Sequence, residues 1–107
     1  MKALFIGRYQ PFHDGHKKLM EVALDEGKYI VIALRDTRVD DKNPYDTQQR
    51  KARILASMTE YAGRVEVITI PDIAEVCYGR DVGYKVREIR LDEDTESISG
   101  TKIRALS

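Results

Sequence analysis

The sequence is poor in several residues on which common kinds of site depend. It contains one cysteine, Cys77, two histidines and no tryptophan. A single cysteine cannot form a disulfide within the chain, and this usage is typical of a reducing compartment, so we expect a cytoplasmic protein. No apolar run approaches the roughly 20 residues of a membrane helix, and no signal-peptide pattern is present. We therefore expect no association with a membrane.

An excess of charge of either sign is also missing. The 18 lysines and arginines balance 18 aspartates and glutamates. Such a balance gives no long-range field that would favour a nucleic-acid partner, so any anion-binding site must be local. A chain of 107 residues can bury roughly two-thirds of its unfolded surface, and we expect one compact domain over residues 1–107.

Apolar runs and helical patterns alternate along the chain. Asp46 can cap a helix, with Gln49 reaching back to it, and Gly63 is predicted to end that helix. A first helix is predicted over 17–26, and Ser99 can cap a short last helix. Strands are predicted over 1–6, 29–34, 64–70, 73–78 and 86–91. This order favours an α/β fold with a five-stranded, mostly parallel sheet flanked by helices.

Both histidines lie in one segment, GRYQPFHDGH, which begins at Gly7 where the first strand ends. Parallel α/β sheets bind ligands beyond the carboxyl ends of their strands. At the start of a helix, His13 and His16 can turn ring N–H groups toward one point, and Gly15 permits a close approach to the backbone. We interpret the segment as a phosphate cradle. The alternatives are rings that only cap the helix or pack on the sheet, and a zinc site, for which further ligands are lacking.

Two other segments carry groups that could bind anions. SGTKIR, residues 99–104, supplies two hydroxyls, a glycine, consecutive backbone N–H groups and Arg104 on one helix face. KNPYDTQQR, residues 42–50, combines a turn with Lys42 and, in the first turn of a helix, Arg50. Taken alone, SGTKIR is more typical of an ordinary capped helix with exposed charges. The alternative for KNPYDTQQR is a solvated loop followed by a capped helix.

Taken together, the segments resemble a known family. GRYQPFHDGH resembles the HxGH signature of the nucleotidylyltransferase superfamily, and ISGTKIR resembles its C-terminal S-x-T-x-x-R element. The two motifs stand in the family's order, and the resemblance covers nearly the whole chain. GRYQPFH together with NPYDTQQR is most similar to the adenylyltransferases of nicotinamide mononucleotide (NMN). The compactness of the chain is similar to that of glycerol-3-phosphate cytidylyltransferases.

The resemblance implies a single Rossmann-like domain and a mechanism without a general base. The substrate's own phosphate would attack the α-phosphorus of a nucleoside triphosphate, with Mg²⁺ bridging the phosphates and no metal held by protein ligands alone. The catalytic residues implied are His13, His16, Lys42 and Arg104. The nucleotide-binding residues implied are Gly7, Arg8, Tyr9, Gly15, Ser99, Gly100 and Thr101. The acceptor-binding residues are Arg50 and Arg80, and for Arg80 a position in solvent is an equal alternative.

The sequence therefore predicts an enzyme that moves a nucleotidyl group, AMP from ATP before CMP from CTP, onto a phosphate monoester and releases pyrophosphate. NMN is the leading acceptor. One alternative is cytidylyl transfer to a small alcohol phosphate such as glycerol 3-phosphate. Another is a nucleotide-binding module without catalysis, which the short middle of the chain favours and the two motifs disfavour. By the family resemblance we also expect a homo-oligomer.

Overall fold

The computed structural model describes residues 1–79, 83 and 85–89. In this part of the chain three strands alternate with two α-helices. They are β1 (Lys2–Gly7), α1 (Asp14–Asp25), β2 (Tyr29–Asp36), α2 (Thr47–Ser57) and β3 (Val65–Pro71), with a 3₁₀ turn at Thr59–Tyr61 between α2 and β3. None of these helices is long and apolar enough to cross a bilayer.

The three strands form a parallel sheet in the order β1-β2-β3. Each crossover leads to the next strand on the same side, from β1 to β2 and from β2 to β3. Because parallel crossovers are right-handed, α1 and α2 lie on one face of the sheet. The central strand shows this in its pattern, because Ile30, Ile32 and Leu34 are buried at alternate positions. They pack against buried side chains of both helices, among them Met20 and Ile54. The α/β class, the parallel sheet and the flanking helices are thus confirmed.

Both helices differ from their predicted bounds. The first begins at Asp14 rather than at residue 17, because His13 acts as the N-cap. The second has its predicted cap: Asp46 accepts from the backbone N–H of Gln49 at 2.8 Å, and the Gln49 side chain accepts from the Asp46 N–H at 2.9 Å. Its predicted end at Gly63 is wrong. The α-helix stops at Ser57 and tightens into 3₁₀ bonds, since the chain must turn sharply to enter β3.

The described residues form three of the five predicted strands. The predicted strand at 73–78 is wrong, because these residues have no regular structure and Val76 and Tyr78 are 66% and 61% exposed. Only Asp72 separates this stretch from β3, and a parallel strand needs a crossover of about a dozen residues. Residues 86–89 of the predicted fifth strand are irregular as well. Residues 90 and 91, and the helix predicted after Ser99, lie outside the described residues.

One buried arginine ties the carboxyl ends of β1 and β2 to the start of α2. The side chain of Arg50 is 1% exposed. Its Nη1 donates to the carbonyl oxygens of Arg8 at 2.9 Å and Arg35 at 2.7 Å, and its Nε donates to the carbonyl oxygen of Asp46 at 3.2 Å. Three elements that are distant in sequence are therefore held at the edge of the sheet where the site is expected.

This arrangement makes Arg50 a determinant of stability. Arg50→Met keeps the aliphatic length but leaves the carbonyl groups without their donor, so we expect the free energy of unfolding to fall by about 2–4 kcal/mol. Urea denaturation would measure the loss. Lys51→Gln, one position along on the exposed side of α2, is the control and should change stability by less than about 0.5 kcal/mol. A loss of under about 1 kcal/mol in Arg50→Met would contradict the assigned role.

Candidate functional site

His13 and His16 close the N-terminus of α1 through reciprocal hydrogen bonds. His13 Nδ1 accepts from the backbone N–H of Gly15 at 3.1 Å and of His16 at 3.4 Å. His16 Nδ1 in turn accepts from the backbone N–H of His13 at 3.3 Å. A ring nitrogen that accepts carries no proton, so the proton of each neutral ring sits on Nε2. The helix terminus therefore sets both histidines as Nε2–H donors.

Packing keeps the two rings uncharged. The imidazoles stack with their centroids 3.7 Å apart and their planes 19° from parallel, and the ring of His16 also contacts Tyr9 at 4.9 Å and Phe12 at 5.6 Å. Burial, and to a smaller extent the neighbouring His13, lowers the pKa of His16 to about 3. Burial also lowers the pKa of His13. Near neutral pH the pair is thus two neutral donors rather than two cations.

One of these two Nε2–H donors has no acceptor within the described residues. His13 Nε2 is buried and makes no hydrogen bond within the described part of the chain. Leaving a buried donor unpaired costs about 1–3 kcal/mol, so a ligand oxygen placed there would recover that free energy. The positive end of the helix dipole lies at the same place and favours an anion. The site is therefore suited to a phosphate oxygen.

The predicted nucleotide-binding residues Gly7, Tyr9 and Gly15 are brought together with the histidines. Tyr9 has a positive φ of 52°, and its ring lies so close to Gly7 that a Cβ there would be 2.9 Å from the ring carbon Cζ. Tyr9 is 5% exposed and belongs to the hydrophobic core. Gly15 is buried and donates to His13 as described. The buried ring of Tyr9 thus packs against the ring of His16.

Among the contacts of the described residues, none joins Arg8 or Lys42 to the histidine pair. Arg8 lines a cleft of about 330 Å³ at the carboxyl ends of the strands, and its Nη1 is 3.4 Å from Asn43 Oδ1. Lys42 is exposed on the loop before α2. Arg50, predicted to bind the acceptor, has only Nη2 without a hydrogen-bond partner among residues 1–79, 83 and 85–89. The predicted residues Arg80, Ser99, Gly100, Thr101 and Arg104 lie outside the described residues.

Two further residues of the candidate site, Arg53 and Gln10, were not predicted from the sequence. Arg53 Nε donates to the carbonyl oxygen of Phe12 at 2.9 Å, and its charge contributes to the lowered pKa of His13. Gln10 is buried, donates to the carbonyl oxygen of Tyr45 at 2.7 Å and accepts from the Tyr45 N–H at 3.0 Å. The sequence contains a signal for Arg53, because this residue lies one helical turn after Arg50. No local pattern indicates Gln10. Together they fix the loop that carries the histidines.

The lowered pKa of His16 predicts a loss of stability in acid. Between about pH 6.5 and 3 the unfolded chain binds a proton that folded His16 does not, so the free energy of unfolding should fall as the pH falls, by at most about 1.4 kcal/mol per unit from this residue. Urea denaturation from pH 7 to 4.5 measures the slope. His16→Gln retains an acceptor for the His13 N–H, as in an ordinary capping box, and should show a shallower slope. Equal slopes for the two proteins would contradict the assignment.

The chain is similar in sequence to several curated enzymes. An NMN adenylyltransferase from Methanococcus aeolicus is 30% identical over 131 positions, covering 97% of this chain and 76% of the relative. That alignment is longer than the 107 residues of the chain, so the relative carries residues that have no counterpart here. A Thermococcus sibiricus enzyme of the same name is 32% identical over 68% of this chain and 42% of its own length. The chain thus spans only about two-fifths of some of the curated relatives it matches.

The fold is similar to part of a larger solved structure. A bifunctional NMN adenylyltransferase/ADP ribose pyrophosphatase from Francisella tularensis, complexed with AMP and a manganese ion, has a TM-score of 0.56 and 32% identity over 66% of this chain and 22% of that one. A family model described as cytidylyltransferase-like matches residues 4–73, which include most of β1, all of β2 and β3, and both histidines. This chain belongs to the cytidylyltransferase-like family.

Proposed function

We propose that the protein is a nucleotidylyltransferase that transfers AMP from ATP to NMN and releases pyrophosphate. The observation that carries the proposal is the histidine pair, two neutral imidazoles whose Nδ1 atoms are occupied by the helix backbone and whose Nε2–H groups are left as donors. The names of the relatives support ATP and NMN as the pair of substrates.

The reaction needs charge stabilisation more than proton transfer. A phosphate oxygen of the acceptor forms a bond to the α-phosphorus of ATP, while the bond from that phosphorus to the bridging oxygen of the β-phosphate breaks. The electron pair leaves with pyrophosphate, so negative charge grows on the departing oxygen. Donors that are already fixed stabilise this charge without reorganisation, and a neutral Nε2–H does so without changing its protonation state. His13 and His16 are fixed in this way by α1.

Further residues complete the proposed site. Gly15 would allow a close approach of the triphosphate, and Gly7 would act indirectly by leaving room for the ring of Tyr9. Arg8 and Lys42 would supply positive charge, and Arg50 would reach the acceptor only through Nη2. The contribution of Tyr9 to nucleotide binding would be indirect, because its ring contacts His16. The roles of Arg80, Ser99, Gly100, Thr101 and Arg104, the cytoplasmic location and the homo-oligomer stay predictions.

Mg²⁺ is the proposed metal, and it would shield the charge of the phosphates when bound. No group of three or more histidine, cysteine, aspartate or glutamate side chains that could hold a metal ion is found in the described ranges of the chain. An ion at the proposed site would be held by phosphate oxygens and water, as is usual for Mg²⁺ with nucleotides. The manganese ion in the Francisella tularensis complex with AMP supports a divalent cation.

A nucleotide-binding module without catalysis is the second candidate. The relative from Methanococcus aeolicus contains residues with no counterpart in this chain, and elements of an acceptor pocket could be among them. The two candidates make different predictions about turnover. Incubation of the purified protein with Mg²⁺ and either ATP or CTP, and with NMN or glycerol 3-phosphate, should release pyrophosphate for ATP with NMN. ATP binding without release in any combination would favour the module.

Variants that keep the helix cap separate chemistry from folding. Asparagine is a good N-cap, so His13→Asn should change the free energy of unfolding by less than about 1 kcal/mol, whereas His13→Ala should lower it by about 1 kcal/mol or more. Because His13→Asn still removes the Nε2–H donor, its pyrophosphate release should fall on the order of a hundredfold or more. Paired assays of turnover and denaturation test this. Turnover within about threefold of the unaltered protein would overturn the role of His13 as a donor.

A further inference from the structure

The histidine pair provides hydrogen-bond donors but no positive charge. Both rings are uncharged near neutral pH, because burial lowers the pKa of each. Asp14, in the first turn of α1, brings a negative charge close to His13. A triphosphate carries several negative charges, which the aspartate repels. A triphosphate held at the histidines therefore needs a cation from another element.

Arg53 of α2 brings its positive charge to the start of α1. Among the described residues, the charges that act on the His13 ring are those of Asp14 and Arg53, and the arginine is the one that lowers the pKa of His13. Its Nε donates to the carbonyl oxygen of Phe12 at 2.9 Å, one residue before the N-cap. This bond fixes the guanidinium beside the histidine loop, although Arg53 itself belongs to another helix.

The two terminal nitrogens of this guanidinium are left for a ligand. The bond from Nε is the hydrogen bond that the Arg53 side chain makes within the described residues, and no carboxylate among them lies at salt-bridge distance from it. Arg53 is exposed, so a ligand can reach Nη1 and Nη2 without displacing a protein contact. A planar guanidinium with free N–H groups is well matched to the oxygens of a phosphate.

Neighbouring cations in the described part of the chain are engaged or lack a contact with the histidines. Arg50, one turn earlier on α2, donates to three backbone carbonyl oxygens. Lys17, just after His16, is paired with Glu60. No described contact joins Arg8 or Lys42 to the histidine pair. Arg53 is thus the cation best placed to share a ligand with His13.

These contacts indicate a role in binding ATP, and the choice of ATP as ligand rests on the proposed function. We propose that Nη1 and Nη2 of Arg53 bind the triphosphate beside the oxygen that accepts from His13 Nε2–H. In this arrangement His13 supplies a neutral donor and Arg53 supplies the positive charge. The two residues come from different helices, so the triphosphate bridges α1 and α2.

Calorimetric titration of ATP with Mg²⁺ into variants of Arg53 tests the proposal. Arg53→Gln should weaken ATP binding about tenfold, the size of one charge-assisted contact at an exposed position. Arg53→Lys keeps the charge and should weaken it by no more than about threefold. Lys51→Gln, which removes an exposed charge of the same sign from the same helix, is the control and should leave the affinity unchanged.

The imidazole signals separate binding from a structural role. Arg53→Gln also removes the bond to the Phe12 carbonyl group, and a displaced loop would weaken ATP binding as well. If the arginine acts by binding, both rings of the Arg53→Gln protein should keep Nδ1 unprotonated and Nε2 protonated in ¹H–¹⁵N spectra at pH 7. A changed protonation pattern, or equal losses of affinity in the Gln and Lys variants, would overturn the proposal.

The outcomes also distinguish this proposal from the function on which it rests. ATP binding by Arg53→Gln within about threefold of the unaltered protein would overturn the role of Arg53 and leave the transferase intact, provided that the unaltered protein releases pyrophosphate from ATP and NMN. Weaker binding by Arg53→Gln, without pyrophosphate release by the unaltered protein, would support the role of Arg53 and overturn the transferase. Absence of ATP binding to the unaltered protein would overturn both.

Discussion

The site depends on one local interaction, the capping of α1 by two histidines. The first turn of any helix has backbone N–H groups without partners, and here the Nδ1 atoms of His13 and His16 accept from three of the N–H groups at the helix start. The same bonds determine which nitrogen of each ring carries the proton. Stability of the helix and chemistry at Nε2 are thus two consequences of one arrangement. A variant can separate them only if it keeps an acceptor for the backbone N–H groups and removes the Nε2–H donor.

Other contacts hold this cap in place from several directions. The ring of Tyr9 lies between Gly7 and His16, which buries His16 and keeps its ring neutral. Arg53 binds the carbonyl group just before His13. These contacts come from β1, the following loop and α2, so the position of the rings depends on the packing of the whole layer. A glycine at position 7 is needed because any side chain there would collide with the tyrosine.

Part of this could be predicted from the sequence, where the signal is local. The cap formed by Asp46 and Gln49 and the three strands that the structure contains follow from short patterns. The early start of α1 did not, because histidine is an unusual N-cap and acts as one only when Nδ1 is unprotonated. The apolar run at 73–78 resembles a strand, but nothing in the run itself shows that no neighbour is available to pair with it. The pairing of Arg35 with Asp72 joins residues 37 positions apart, which no spacing rule reveals.

The protonation of the two rings tests the central claim most directly. The chain has only two histidines, so long-range ¹H–¹⁵N spectra of the imidazoles contain two sets of signals, which His13→Asn would assign. At pH 7 both rings should be neutral, with Nε2 protonated and Nδ1 not. Nδ1 protonated in either ring, or an imidazolium at His16, would contradict the account, since the cap and the pair of neutral donors could not then exist together.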